Sequence, residues 1–426
     1  MGAFSVAERT RRCVVHALRD FWHAENRWAA INRHEQKLIR CMITEEGGQN
    51  QWRPGRINMN VHIANMGGGM VRTYGVMVLI LIGWCGVFAD VYGCSSVFLN
   101  KKGHLILGNN MDWISGDGMV VVNKRNVKKR GFWYENKPDW TWTSEYGSIS
   151  FNTEGREFPI RGMNEAGLAI TELMLTETRH PSPGGLPVLC GSQWIQYQLD
   201  TSATVKEVIA SDKVVRIEPT DWEGMASHFL ICDSNGTVAG IEWLDGKLTV
   251  YTGSTLPIPA MVNSTYESCI TTGDDPSGRF KPIAELYAAH DTTKSSDGVS
   301  YVFTILQAAE LYSPTFQTRW SMAFDVKAKR CYWRTILNDK SRYVDIKDFD
   351  FSCKTDVEVL DINNASTGNV RAAFVPYTIE FNRKFVTRIY SLYNQYSDFI
   401  GKTYSQDTID AIIAFPESTI CNTGDL

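Results

Sequence analysis

GCSSVFLNKKGHLILGNNMDW, residues 93–113, is the stretch on which the reading of this chain turns. Residues 95–100 (SSVFLN) and 104–109 (HLILGN) are short apolar runs separated by Lys101-Lys102-Gly103, the composition of a β-hairpin. The hairpin begins at Cys94 itself. Whatever chemistry that thiol performs, it performs from the end of a strand, held by a sheet.

The residues immediately upstream say how Cys94 becomes available. Residues 70–93 read MVRTYGVMVLILIGWCGVFADVYG, with Arg72 ahead of a 14-residue apolar run from Val76 to Ala89 and small residues at Ala89 and Gly93. This is the tripartite plan of a secretory signal peptide. At about 1.5 Å per helical residue the run reaches roughly 21 Å, short of the roughly 30 Å of a bilayer core, so a cleaved signal is a better reading than a membrane anchor. Two cleavage positions fit: after Val91-Tyr92-Gly93, or after Val87-Phe88-Ala89, which leaves residues 90–93 attached. Cutting after Gly93 leaves a thiol and a free α-amine on one residue, a nucleophile with its own base. A competing outcome is lipidation of Cys94, which would acylate that amine; bulky Tyr92 stands where lipoprotein signals carry a small residue.

Composition sharpens the boundary. The chain has 426 residues, 43% apolar or aromatic and 21% charged, which excludes disorder, collagen and coiled coil. Its net charge of -4 shows no basic excess for nucleic acid. That average conceals a seam: residues 1–69 carry net +4, residues 70–93 cancel, and residues from Cys94 onward carry net -8. The expected organisation is therefore an upstream extension or mis-assigned start (1–69), a signal peptide (70–93), the main domain (94–360) and a C-terminal extension packing on it (361–426). The alternative for the first segment is a genuine basic N-terminal region with short helices at 8–19 and 32–42.

Downstream, period-2 runs at 119–123, 148–152, 157–161 and 168–175 read as strands, broken by Gly-rich turns. Residues 191–211 read as two consecutive helices, the second opened by the capping box Thr204 to Glu207. Strands return at 228–232, 237–243 and 247–252, helices at 280–289 and 302–311, and a hairpin at 320–325 and 330–335. Strands, helices, strands, helices, strands predict an α+β layered fold, antiparallel sheets face to face with helices outside.

Cys94-Ser-Ser, GNNMDW (108–113), WTSEYGS (142–148), GMNEAGL (162–168), MVNST (261–265) and SGRF (277–280) stand in the order and approximate spacing of the choloylglycine hydrolase family, which the chain resembles over about residues 94–360. That family includes conjugated bile acid hydrolases and penicillin V acylases, N-terminal-nucleophile (Ntn) hydrolases that cleave linear amides. The resemblance implies an αββα sandwich and a Cys94 nucleophile whose α-amine moves the proton. An α-amine of pKa about 7.7–8.0 suits that task at neutral pH.

By resemblance, Asp112 orients the Cys94 amine, Asn263 donates to the oxyanion, and Arg279 places a positive charge beside the thiol. The pattern departs at Asn109, where the family carries Arg: a neutral amide hydrogen-bonds a thiol but cannot stabilise thiolate by charge, so activation would rest on Arg279 and the amine. It departs again at Met174, whose thioether only packs and so implies an apolar acyl pocket. Trp113 and Trp142 are candidate pocket walls, against the commoner role of aromatics as core.

No cofactor or metal is implied. Downstream of Cys94 the histidines are His104, His180, His228 and His290, none near a second Cys in metal-ligand spacing. A papain-like pair of Cys94 and His228 is a weaker alternative, because it gives no reason for Cys94 to be terminal. The expectation is an exported, periplasmic or secreted hydrolase of small-molecule acyl amides: phenoxyacyl penicillins, N-acyl amino acids or lactones, or bile-salt conjugates. It needs no nucleic acid and no membrane span after signal removal. The aromatic-rich residues 383–400 pack on the domain, on a second subunit in a homo-oligomer, or on another surface. From a different class, the alternative is a lipid-anchored, non-catalytic binding protein on the same fold with Cys94 acylated.

Overall fold

A computed structural model describes residues 93–132, 140–218, 226–273, 275–290, 297–313 and 315–422. The upstream extension and almost all of the expected signal peptide lie outside the described residues.

The hairpin forms: β1 (Cys94–Leu99) pairs antiparallel with β2 (Ile106–Trp113), in a register that sets Cys94 opposite Met111. The second strand extends through GNNMDW, four residues beyond the expected end, so Asn109 and Asp112 lie on the sheet. Then follow β3 (Met119–Asn123), β4 (Val127–Arg130), β5 (Thr141–Thr143), β6 (Ser148–Asn152), β7 (Pro159–Asn164), β8 (Ala169–Met174) and β9 (Val188–Leu189). Helices α1 (Gly191–Thr201) and α2 (Val205–Ala210) come next, and the Thr204/Glu207 capping box is present. They lead to β10 (Arg216–Ile217), β11 (Ser227–Cys232), β12 (Val238–Leu244), β13 (Lys247–Thr252) and β14 (Ala260–Met261). Helices α3 (Tyr266–Thr271), α4 (Phe280–Ala289) and α5 (Gly298–Gln307) precede β15 (Gln317–Asp325), β16 (Arg330–Thr335), β17 (Asn338–Asp345), β18 (Glu358–Asp361), β19 (Gly368–Asn369) and β20 (Val375–Pro376). The chain closes on α6 (Ile379–Gln395), α7 (Ser397–Ile400), α8 (Gln406–Ala414) and β21 (Ile420–Cys421).

Two large sheets carry the fold. One has the order β14-β1-β2-β15-β16-β17-β19, the other β13-β12-β11-β8-β7-β6-β3-β18-β20. They face each other: Phe151 of the second sheet packs edge-on against Phe324 and Trp333 of the first. Each fully buried aromatic or aliphatic side chain contributes about 1.5–3 kcal/mol, so this interlayer is the main source of stability. The Ser96 and Thr171 hydroxyls, buried on opposite sheets, bond each other at 3.0 Å rather than go unsatisfied.

Helices cover both outer faces. A Cβ on Gly108 would lie 2.4 Å from Val302 of α5, and one on Gly162 would lie 2.8 Å from Leu199 of α1; only glycine lets each helix sit this close to its sheet. On the second sheet Trp194, Ile195, Leu199, Val205 and Val208 pack against Phe229, Ile231 and Trp243. The expected αββα sandwich is the architecture observed. No described helix is long and apolar enough to cross a membrane.

The segment expected as a helix at 383–400 starts earlier, with Thr378 as N-cap, and breaks at Tyr396. Val386, Ile389, Tyr390 and Tyr393 of α6 pack with Ile409, Ile412 and Ile413 of α8 and with Ile114, Phe158 and Phe316 of the body. A disulfide between Cys353 and Cys421, closing a span of 68 residues, ties the end of this segment back to the body.

Candidate active site

Cys94 opens β1 between β14 and β2, and those neighbours decide what surrounds it. Beyond β14 the chain delivers Asn263; the residue before α4 is Arg279; β2 delivers Asp112, two positions from the strand residue Asn110. The Cys94 backbone N–H donates to Asn263 Oδ1 at 2.6 Å. Arg279 is the hub: Nη1 donates to the Cys94 carbonyl at 2.8 Å and to Asp112 Oδ2 at 2.9 Å, and Nη2 donates to Asn263 Oδ1 at 2.7 Å. Gly93 lies against this guanidinium so closely that a Cβ there would stand 2.5 Å from Arg279 Nη1.

Asp112 is placed by a β-bulge. The pairing of β15 with β2 shifts register around Arg319, which leaves the Thr318 hydroxyl 2.5 Å from Asp112 Oδ1 as its donor. The carboxylate is thereby taken by Arg279 and Thr318, and the Cys94 nitrogen is held by Asn263. The resemblance assigned orientation of that nitrogen to Asp112; here the Asp112 carboxylate instead anchors Arg279. Burial raises the Asp112 carboxyl to about 6, and Arg279, Thr318 and Arg161 oppose that rise.

Asn263 is likewise differently engaged. Its Nδ2 donates to the Met174 carbonyl at 2.7 Å, so one amide hydrogen is spent on β8 and one is left for the oxyanion role that the resemblance implies.

The largest correction concerns charge. Asn109 does not bind the thiol: its Nδ2 donates to the Ser95 carbonyl at 3.1 Å and to Ser96 Oγ at 2.8 Å, and its Oδ1 accepts from Arg161 Nη1. Arg161, on β7 of the facing sheet and 1% exposed, lines the same cavity as Cys94, and its charge is coupled to the thiol. Burial pushes that thiol up, and the charges of Arg161 and, less, Arg279 oppose the rise. Arg279 organises the Cys94 backbone; Arg161 faces its sulfur. The sequence did contain a signal for it: a guanidinium inside PIRGMN, a strand otherwise made of apolar and small residues.

A cavity of about 100 Å³ opens at the thiol, lined by Met111, Trp113, Ile160 and Met174 among apolar groups and by Arg161, Glu172, Glu154 and Tyr393 among polar ones. Met174 and Trp113 are placed at the pocket, as expected. Trp142 is not: it packs against Tyr197 of α1 and donates its Nε1 to Asp200 at 2.8 Å, as a core residue. The apolar groups Met111, Trp113, Ile160 and Met174 fit the expected apolar acyl pocket; among its polar groups Glu172 is raised to about 7 by burial. Tyr393 reaches the cavity from α6, accepting from Trp113 Nε1 at 3.3 Å and donating to Glu154 at 3.1 Å. His228 is buried against Glu242 at 3.0 Å and does not line the cavity.

Known proteins share this fold and part of this sequence. The solved penicillin V acylase of Agrobacterium tumefaciens superimposes with a TM-score of 0.57 at 23% identity, covering 67% of this chain and 98% of that one. A Cys-to-Ala mutant of the conjugated bile acid hydrolase of Clostridium perfringens superimposes with a TM-score of 0.53 at 17% identity, covering 65% and 99%. Both show the shared fold. In sequence, the penicillin V acylase of Pectobacterium atrosepticum is 32% identical over 181 residues, 39% of this chain and 47% of the relative, so the match spans about half the length of that relative. The sequence model described as linear amide C-N hydrolases, choloylglycine hydrolase family, matches residues 94–270, a segment that begins at the cysteine of the site. By these matches residues 94–270 are similar to the choloylglycine hydrolase family of linear amide C-N hydrolases, and the fold is shared with a solved penicillin V acylase and a solved conjugated bile acid hydrolase.

Proposed function

We propose that this protein is an exported cysteine Ntn hydrolase that cleaves the C–N bond of small acyl amides, with Cys94 as its first residue after processing. The observation that carries the reading is the convergence of Cys94 N, Asn263, Arg279 and Asp112 through four bonds of 2.6–2.9 Å around the residue at which the family match begins.

Removal of residues 1–93 frees the Cys94 amine where Asn263 Oδ1 accepts from it. The thiol proton passes to that amine, and sulfur attacks the amide carbonyl carbon. The oxyanion takes the second Asn263 amide hydrogen. As the C–N bond breaks, the amine returns the proton to the leaving nitrogen. Water, deprotonated by the same amine, then splits the thioester and regenerates the thiol.

The apolar groups at the cavity mouth, Met111, Trp113, Ile160 and Met174, favour a hydrophobic acyl part. Penicillin V, from the name of the curated relative, is the first substrate to assay, ahead of bile-salt conjugates. Export to the periplasm or beyond is supported by the signal-like residues 70–93 and by the Cys353–Cys421 disulfide, a bond of oxidising compartments.

The test is release of free amine from penicillin V and short N-acyl amino acids by processed protein. Hydrolysis that disappears in Cys94→Ala supports the reading. Full hydrolysis by Cys94→Ala overturns it.

A further inference from the structure

We propose that Arg161 is the cation that stabilises the Cys94 thiolate, and that Asn109 is the residue that positions it. The inference rests on Cys94 being the reactive thiol and goes further by assigning its activation to a strand of the opposite sheet.

Three observations carry it. Arg161 reaches from β7 across the interlayer to the cavity at Cys94, which both residues line, and is 1% exposed there. Its Nη1 is anchored on Asn109 Oδ1, and Asn109 is itself fixed by two bonds to Ser95 and Ser96, the residues directly after the nucleophile. The other guanidinium of the site, Arg279, is spent on Asp112, Asn263 and the Cys94 carbonyl. A buried guanidinium is costly without an anionic neighbour, and the anions facing Arg161 are the thiolate, Glu172 and Asp112.

Asp112 is already paired with Arg279, which leaves Glu172 and the thiolate sharing Arg161. Glu172 is held in turn by the Ser227 hydroxyl at 2.6 Å and faces the negative Glu154. Charge on Glu172 therefore competes with thiolate for Arg161.

The test is alkylation of Cys94 by iodoacetamide as a function of pH in the full processed chain, with the modified peptide quantified by mass spectrometry. Thiolate displaces iodide, so the midpoint reports the thiol directly and needs no amide substrate. Arg161→Gln is expected to raise the midpoint by at least one pH unit, a rate at pH 7 lower by about tenfold or more. Asn109→Leu, which leaves the charge but frees it, is expected to raise it less. Glu172→Gln is expected to lower it. Should Arg161→Gln fail to fold, Arg161→Lys and the double variant Asn109→Arg/Arg161→Gln, which supplies the guanidinium from β2, are read instead: a midpoint restored toward the parent in the double variant supports the proposal. An unchanged midpoint in Arg161→Gln, or in Glu172→Gln and Asn109→Leu together, overturns it. Shifted midpoints without any amide hydrolysis would leave this inference standing and reject the hydrolase reading; hydrolysis with unshifted midpoints would do the reverse.

Discussion

Arg279 Nη1 bonds the Cys94 carbonyl and the Asp112 carboxylate at once, at 2.8 and 2.9 Å, so one buried guanidinium ties the residue at the head of β1 to the end of β2. Breaking a buried pair by removing one partner leaves an uncompensated charge and costs about 3–5 kcal/mol. Arg279→Gln should therefore lower stability in urea unfolding by that order, and adding Asp112→Asn should recover part of the loss. Equal destabilisation by the single and double variants would contradict the pairing.

Asn263 holds the Cys94 nitrogen through Oδ1 and Met174 through Nδ2. Asn263→Ala should lower kcat for amide hydrolysis by about 10²- to 10³-fold, the usual cost of losing one oxyanion donor, with a smaller effect on KM. A change confined to KM in steady-state kinetics would assign Asn263 to substrate binding instead.

The raised carboxyls set a pH dependence of definite sign. Asp112, raised to about 6, and Glu172, raised to about 7, bind protons more readily in the folded chain than in the unfolded one. Between the ordinary carboxylate range and pH 7 the native state thus holds more protons, and stability falls as pH rises through that window. Glu172→Gln should flatten the upper part of the fall in chemical unfolding measured from pH 4 to pH 8. Hydrolysis should decline below about pH 6 as Asp112 takes a proton and releases its pull on Arg279.

The hairpin at Cys94 and the succession of strands and helices were legible because they depend on local pattern: alternation, Lys-Lys-Gly at the turn, a capping box at Thr204. The convergence of Asn263 and Arg279 on Cys94 could be expected only through motif register. Arg161 was legible only as a lone charge within PIRGMN; nothing along the chain tells that it reaches the cysteine from across the interlayer. The same holds for Tyr393, 280 positions from its partner Trp113. Trp142, close to Trp113 in sequence, points instead into the core beneath α1, since the strand that carries it belongs to a small separate sheet with β4 and β21.

That distant tyrosine makes the C-terminal segment part of the pocket. Tyr393→Ala should cost stability, by about 3 kcal/mol for a large buried aromatic, and should widen the cavity. The ratio of kcat/KM for long over short N-acyl substrates is expected to rise. An unchanged ratio would show that α6 supports the wall without shaping it.

The central claim is that processing makes Cys94 the first residue and leaves its amine free. N-terminal sequencing with intact mass of active protein recovered from an exporting host measures this directly. The account predicts a chain that begins Cys-Ser-Ser-Val with the unmodified mass of residues 94–426. Active protein that begins at Met1 or Met70, or a Cys94 start carrying the added mass of a diacylglyceryl group, would contradict it.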